Sequence, residues 1–233
     1  MLESVFESEK ELRYRNSFSS VRYKIFLLLE KIYKKIIDDT DNRITTIIKY
    51  LATKNPKRVL EIGSGTLPIY KFIPEKQKKY LEYHICEVNP EKILFINKNY
   101  PNIKTIRSDA LNLPYKKDSF DLVLSKGVLH HIDDKNINFV KIKRKLFIKE
   151  MMRITKNNGS IFLMDFSGNK SFGSLIWHFL HKFFFKEGEH NFYSLKESLE
   201  LFRKKPLKKV SGKELGTFKG IYYYIIADKK DEN

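Results

Sequence analysis

Residues 59–66 read Val-Leu-Glu-Ile-Gly-Ser-Gly-Thr, a short apolar segment with one acid in it that runs into a Gly-x-Gly turn. A parallel strand ends this way when something must lie against bare backbone. Gly63 and Gly65 have no Cβ, so they reach positive φ and let a ligand approach the main chain. A dinucleotide fingerprint would need a third glycine where Pro68 stands, which argues against a pyrophosphate and with it against a nicotinamide-dependent oxidoreductase. The ribose part of that pattern survives. Glu87 follows the apolar segment 81–86, at roughly the 20-residue offset where a second strand offers a carboxylate to a ribose diol. Asp109 closes a third strand-like segment, 103–108, so three successive strands end in Glu61, Glu87 and Asp109.

The rest of the pattern alternates. Strands are predicted near 58–62, 81–87, 103–108, 120–125 and 160–165, with helices near 68–73, 90–99 and 136–156. Two amphipathic helices precede them. One carries Val21, Ile25, Leu28, Leu29, Ile32, Tyr33 and Ile36 at helical spacing, and the next carries Ile44, Ile47, Ile48 and Leu51 after Thr40-Asp41-Asn42. Segments 208–215 and 221–227 supply two final strands. The sequence therefore predicts an α/β, doubly wound sheet. With 233 residues and 42% hydrophobic content, the chain can bury one sizeable core, and one domain with elaborations is expected.

Several further stretches give the chain a family likeness. They are Asp109-Ala110-Leu111-Asn112-Leu113-Pro114-Tyr115, Asp118-Ser119-Phe120-Asp121-Leu122-Val123-Leu124-Ser125 and Gly127-Val128-Leu129-His130-His131-Ile132, followed by Glu150, Arg153, Ile154 and residues 156–161. From about 58 to 165 the chain resembles the class I S-adenosylmethionine-dependent methyltransferases, and within them the type 11 subgroup that includes the ubiquinone and menaquinone biosynthesis methyltransferases. It departs from the family's usual Lys-Pro-Gly-Gly passage, with Asn157-Asn158 replacing the proline and first glycine. Leu67 takes the place of the third glycine of the first motif. Asn tolerates left-handed φ, so the first departure threatens the turn little.

The resemblance implies a Rossmann-like, seven-stranded sheet, mostly parallel with an antiparallel last strand and N-terminal helices. Residues 1–54 would form a helical extension packed on the core and 55–233 the methyltransferase domain, with 166–191 as an acceptor-side insertion or lid. It implies S-adenosyl-L-methionine as cofactor, which offers a ribose and a zwitterionic tail and no phosphate. Gly63, Ser64 and Gly65 would pack on the methionine and ribose part, with Glu61 near the methionine amino group. Glu87 would accept both ribose hydroxyls, Asp109 the adenine amino hydrogen, and the Ala110 backbone would meet the ring edge. Ser125 to Gly127 would continue the pocket. His130 and His131, just past the fourth strand, are base candidates because imidazole titrates near neutrality; His131 is preferred by a narrow margin, since only one of the two should face the pocket.

The acceptor is read from the segment after the fifth strand. Phe172, Leu175, Ile176, Phe179, Leu180, Phe183 and Phe184 fit one helix face, with Trp177, His178 and His181 around it, and this aromatic load suggests a small apolar or lipid-like acceptor. No carboxylate or thiol completes a metal set with His178 and His181, so no metal is expected. The lone cysteine, Cys86, excludes an intrachain disulfide and is expected to pack. No basic-then-apolar leader or spanning segment is apparent, so a soluble, cytoplasmic protein without a transmembrane segment is the expectation. The net charge of +17 raises nucleic acid or an anionic membrane surface as partners, with basic stretches at Lys141, Lys143, Arg144, Lys145 and Lys149 and at Arg203, Lys204, Lys205, Lys208 and Lys209. No RNA-reading module is present, which leaves an RNA methyltransferase as the alternative, with a non-catalytic cofactor-binding scaffold behind it.

Overall fold

The computed structural model of the protein describes residues 40–132, 136–168, 192–215 and 222–231. The strands are β1 (Arg58–Ile62), β2 (Glu82–Glu87), β3 (Lys104–Arg107), β4 (Phe120–Lys126), β5 (Thr155–Phe166), β6 (Leu207–Leu215) and β7 (Tyr222–Lys229). They form one sheet in the order β3-β2-β1-β4-β5-β7-β6. β1 to β5 are parallel, whereas β7 lies antiparallel between β5 and β6. This is the seven-stranded, mostly parallel sheet that the sequence predicts. Strand order reverses between β1 and β4, and in open α/β sheets that switch point opens a crevice at the carboxyl ends of the strands.

Helices α1 (Thr40–Lys54), α2 (Glu75–Lys78), α3 (Pro90–Asn99), α4 (Ile137–Ile154) and α5 (Leu195–Glu200) connect or flank the strands. Side chains alternate across the sheet with period two. Val59, Tyr83, Ile85, Leu122, Leu124 and Phe162 form one layer with Ile47 and Leu51 of α1 and Ile96 of α3. Leu60, Ile62, Val123, Ile161 and Leu163 form the other, against Phe147, Ile148 and Met151 of α4.

Local chemistry sets the helix starts. The Asn89 side chain accepts the N–H groups of Glu91 and Lys92 with Pro90 at the first helical position, Asn136 accepts from Asn138, and Ser194 forms a capping box with Glu197.

The helix predicted near 68–73 is only a 3-10 turn, Ile69–Phe72. Pro68 and Pro74, both extended, bracket it, and a proline neither continues a helix behind it nor permits the helical region before it. Asn158 takes φ +59°, as the Asn-for-Gly exchange anticipates. The earlier N-terminal helix, near 21–36, lies outside the described residues, as does the aromatic segment 172–185.

Arg144 corrects one reading. It belongs to a sequence run that reads as basic surface, yet it is fully buried, because it shares the inner face of α4 with Val140, Phe147 and Met151. Its Nε donates to the Ile132 carbonyl at 3.0 Å and its guanidinium sits 4.1 Å from the centre of the Tyr193 ring. It is a core strut under the loop after β4 and leaves that basic stretch to the lysines.

Candidate active site

The carboxyl ends of β1, β2, β4 and β5 bring the predicted residues to one edge. β1 runs straight into the glycine turn, where Gly63 and Gly65 take φ of +68° and +64°; after β4, Gly127 takes φ +68°. The two glycines of the first turn serve different ends. A Cβ on Gly63 would overlap Cγ2 of Val128, so this glycine lets the β1 turn pack against the loop after β4. A Cβ on Gly65 would meet nothing within 4 Å. Gly65 therefore leaves open the space a ligand needs, while Gly63 is spent on packing.

Glu87 organises that turn. Its Oε2 accepts the Gly65 N–H at 3.2 Å, and its Oε1 accepts Val88 N–H at 2.9 Å and Asn89 N–H at 3.1 Å. A carboxylate has about four acceptor sites, so capacity remains for a further donor. The side chain is buried and fixed before any ligand arrives.

Glu61 is fully buried. Its Oε2 accepts the Tyr83 hydroxyl at 2.8 Å and the Ile69 N–H at 3.0 Å, whereas Oε1 has no partner. Burial pushes the carboxyl up to about 7 against the opposing influence of Lys126, the Tyr83 hydroxyl and the Ile69 N–H, and the nearby Glu87 charge adds to the rise. The Ser125 hydroxyl, on the neighbouring strand, and that of Thr66 are likewise buried without partners. Native interiors satisfy almost all such atoms, and those left over beside an open glycine mark a ligand's place. A buried carboxylate oxygen suits an ammonium group, and Glu87 suits a pair of hydroxyls. The residues present thus fit S-adenosylmethionine.

Asp109 stands apart from the buried acids. It is exposed, and its Oδ1 accepts the Leu111 N–H at 2.8 Å, which shapes the turn after β3. Ala110 is half-buried against the core. Ser64 is buried, its hydroxyl turned to the Gly65 carbonyl at 3.1 Å. Cys86 is a buried thiol pushed up to about 12 by burial, in keeping with a packing role.

The two histidines differ sharply. His131 is exposed, whereas His130 is buried and its Nδ1 lies 2.6 Å from Oδ1 of Asp165, a residue whose partner no sequence motif reveals. Asp165 ends β5 and is itself fully enclosed. It accepts N–H groups from Leu129 at 2.6 Å, His130 at 3.3 Å and Phe166 at 2.7 Å. Burial alone would raise its carboxyl, but His130 and these backbone donors outweigh that and hold it below its usual range. An ionised Asp165 has no proton to give, so His130 Nδ1 is the donor in this contact, which in a neutral ring puts the lone pair on Nε2.

Aromatic rings surround this pair. His130 stacks on Phe192 with centroids 5.3 Å apart and meets the Phe166 ring at 5.2 Å; Phe166 in turn lies 4.7 Å from Tyr222. Gly168 fixes Phe192 in place: its N–H donates to the Tyr193 carbonyl at 3.0 Å, in a gap with no room for a Cβ.

Comparison with known proteins bears on the fold and on the residues that match a family. Residues 60–163 match the family described as methyltransferase domain. A tRNA (carboxymethyluridine(34)-5-O)-methyltransferase of Arabidopsis thaliana is 32% identical over 69 residues, 30% of this chain and 16% of that protein. A malonyl-[acyl-carrier protein] O-methyltransferase of Halorhodospira halophila is 26% identical over 115 residues, 48% of this chain and 36% of that protein. The matches thus span well under two thirds of these relatives' lengths. A solved S-adenosylmethionine-dependent methyltransferase from Methanosarcina mazei shares the fold, with a TM-score of 0.56 at 22% identity over 80% of this chain and 98% of its own. Residues 60–163, a little under half of the chain, are thus similar to a methyltransferase domain, and the fold is the one that solved S-adenosylmethionine-dependent methyltransferases share.

Proposed function

We propose that this methyltransferase domain methylates a small, apolar or lipid-like acceptor, and that His130, oriented by Asp165, removes the acceptor's proton. The observation that carries the reading is the 2.6 Å contact between His130 Nδ1 and Asp165 at the same sheet edge as Glu61, Gly65 and Glu87. Glu61, Ser64, Gly65, Glu87, Asp109, Ala110 and Ser125 would hold the cofactor, with Gly63 acting beneath them through Val128. Bound S-adenosylmethionine supplies a methyl group on a sulfonium, open to in-line displacement.

The protein's own part is alignment, exclusion of water and proton handling. Asp165 fixes the ring of His130 through Nδ1 and stabilises the imidazolium that forms when Nε2 takes a proton. Phe166, Phe192 and Tyr222 give the surroundings an apolar, planar character, which supports an acceptor of that kind. The Asp165 contact is what favours His130 over His131 as the base. The family match leaves the acceptor open, since the tRNA and acyl-carrier-protein relatives are named for a tRNA base and for a carrier-bound malonyl group.

The test has two parts. Calorimetry with S-adenosylmethionine or its demethylated product should show binding, which Glu87→Ala weakens by about 1.5–3 kcal/mol through loss of charged hydrogen bonds. In cell extract with labelled cofactor, label should enter small molecules or lipid. His130→Ala should cut that transfer by roughly 10²–10⁴ while leaving cofactor affinity close to wild type. Label entering RNA, with a steep salt dependence, would replace this acceptor with nucleic acid. Cofactor binding with no transfer to any class would leave a non-catalytic binding protein.

A further inference from the structure

Helix α4 presents an exposed outer face that none of the described elements covers. Phe139, Ile142 and Leu146 come at spacings of three and four and so share one face, and they are 53%, 51% and 43% exposed. Ile137, at the start of the helix, is also exposed. Lys141, Lys145 and Lys149 run beside that stripe at spacings of four, each exposed. The helix has a single acid, Glu150, and Arg153 engages it at 2.7 Å. The opposite side of the same helix, with Val140, Phe147, Ile148 and Met151, is core.

We infer that this face docks the protein on an anionic lipid surface, with Phe139, Ile142 and Leu146 entering the boundary between headgroups and acyl chains and the three lysines meeting lipid phosphates. Charge decides among the occupants. A second copy of the chain placed on this face would bring two lysine rows together, and like charges repel. A nucleic acid would satisfy the lysines and leave Ile142 and Leu146 against a phosphate backbone. An anionic bilayer answers both halves of the pattern: an apolar stripe parallel to the surface and a cationic flank. Helix α4 also begins just beyond the loop that carries His130, so the N-terminal end of this face lies on the active-site side of the sheet. The inference does not depend on the proposed acceptor, because membrane binding is read without cofactor.

Co-sedimentation of the full chain with vesicles tests it, using phosphatidylcholine alone or mixed with phosphatidylserine. Wild type should partition onto the mixed vesicles and scarcely onto the neutral ones. The triple variant Phe139→Gln, Ile142→Gln, Leu146→Gln should lose at least about tenfold in partitioning. Lys141→Gln, Lys145→Gln, Lys149→Gln should lose roughly a hundredfold, at about fivefold for each lysine. All six side chains are exposed, so both variants should keep the wild-type melting temperature.

Four results would overturn the inference. The first is no binding to mixed vesicles. The second is binding that the lysine variant loses and the apolar variant keeps, together with capture of single-stranded RNA by the same lysines. The third is self-association that the apolar variant abolishes. The fourth is a marked change in melting of the apolar variant without vesicle binding, which would mean that another part of the chain covers the face.

Discussion

At the N-terminal ends of β4 and β5, Asp121 accepts the N–H groups of Lys57 and Arg58 and the Lys156 ammonium, the last at 2.7 Å. Nearby, the buried Lys229 donates to Asp118 at 2.7 Å and to the Thr155 carbonyl at 3.0 Å, and Asp228 holds Lys54 and Ser160. At the other end of the same strands, Glu61 keeps one carboxylate oxygen without a partner, Ser125 and Thr66 keep unpartnered hydroxyls, and three glycines sit at positive φ. Charges at the first edge are mostly closed into pairs that tie strands together, although Asn157 Oδ1, the Tyr50 hydroxyl and Arg58 Nε, which lies 3.2 Å from Glu82, are also buried there without a hydrogen bond. Those at the second are held in place and left incomplete. A polar group buried without a partner costs free energy. Its presence at one edge, close to a glycine with open space above it, is how a folded chain reserves donors and acceptors for a ligand.

The comparison breaks most visibly at the glycine turn. Gly63→Val puts a branched side chain at φ +68° and into Val128, so it should destabilise the fold by about 3 kcal/mol or more. Gly65→Ala meets no atom and carries only the left-handed backbone penalty of about 1–2 kcal/mol. It should nevertheless weaken cofactor binding out of proportion to that loss. Denaturant titration and calorimetry on both variants measure this; equal stability losses would show that the two glycines do the same job.

Glu61 sharpens the contrast through pH. Its folded-state carboxyl, at about 7, lies above the ordinary value of 4.5, so the native protein holds a proton there that the unfolded chain has already lost. That contribution is fully present below about pH 4.5 and is lost as pH rises to about 7, a fall on the order of 3 kcal/mol in this group's share of stability. Glu61→Gln removes the titration. The stability difference between variant and wild type should therefore move in favour of the variant by that amount between pH 4.5 and 8. A pH-independent difference would mean that Glu61 is ionised throughout.

How much of this is legible in the sequence varies by element. The ends of β1 to β4 can be placed to within a residue or two, because apolar runs that end in Gly, Glu or Asp mark both the strand and its exit. The His130–Asp165 pair cannot. It joins a loop after β4 to the end of β5, 35 residues apart, and only the parallel β4–β5 register brings them together. The preference for His131 rests on a choice between adjacent residues that alternation alone cannot make. Arg144 reads as surface because a run of like charges hides the 3.6-residue period that carries one member into the core. The packing of Gly63 against Val128 is not legible in the sequence, because the two lie 65 residues apart.

The paired edge predicts the converse of Glu61. Lys229→Met should cost about 1–2 kcal/mol, since the Thr155 carbonyl loses its donor while Asp118, about one third exposed, recovers water. Cofactor affinity should not change. A drop in affinity at matched stability would show that the two edges are coupled through β5 and β7, whose register spans both.

The smallest effect belongs to Asp109, which tests where the reserved edge stops. Unlike Glu61 and Glu87 it is exposed, and its Oδ1 is already engaged by the Leu111 N–H. Asparagine in its place keeps that acceptor and the turn, so Asp109→Asn should leave stability within about 0.5 kcal/mol of wild type. If the residue accepts the adenine amino hydrogen as proposed, an amide oxygen can still do so and only the charge assistance is lost. Water screens that assistance at an exposed position, so affinity should fall by no more than about fivefold. Calorimetry beside Glu87→Ala makes the comparison internal. A loss as large as that of the Glu87 variant would mean that the bound cofactor buries Asp109, and the reserved edge would then extend from β5 across to β3.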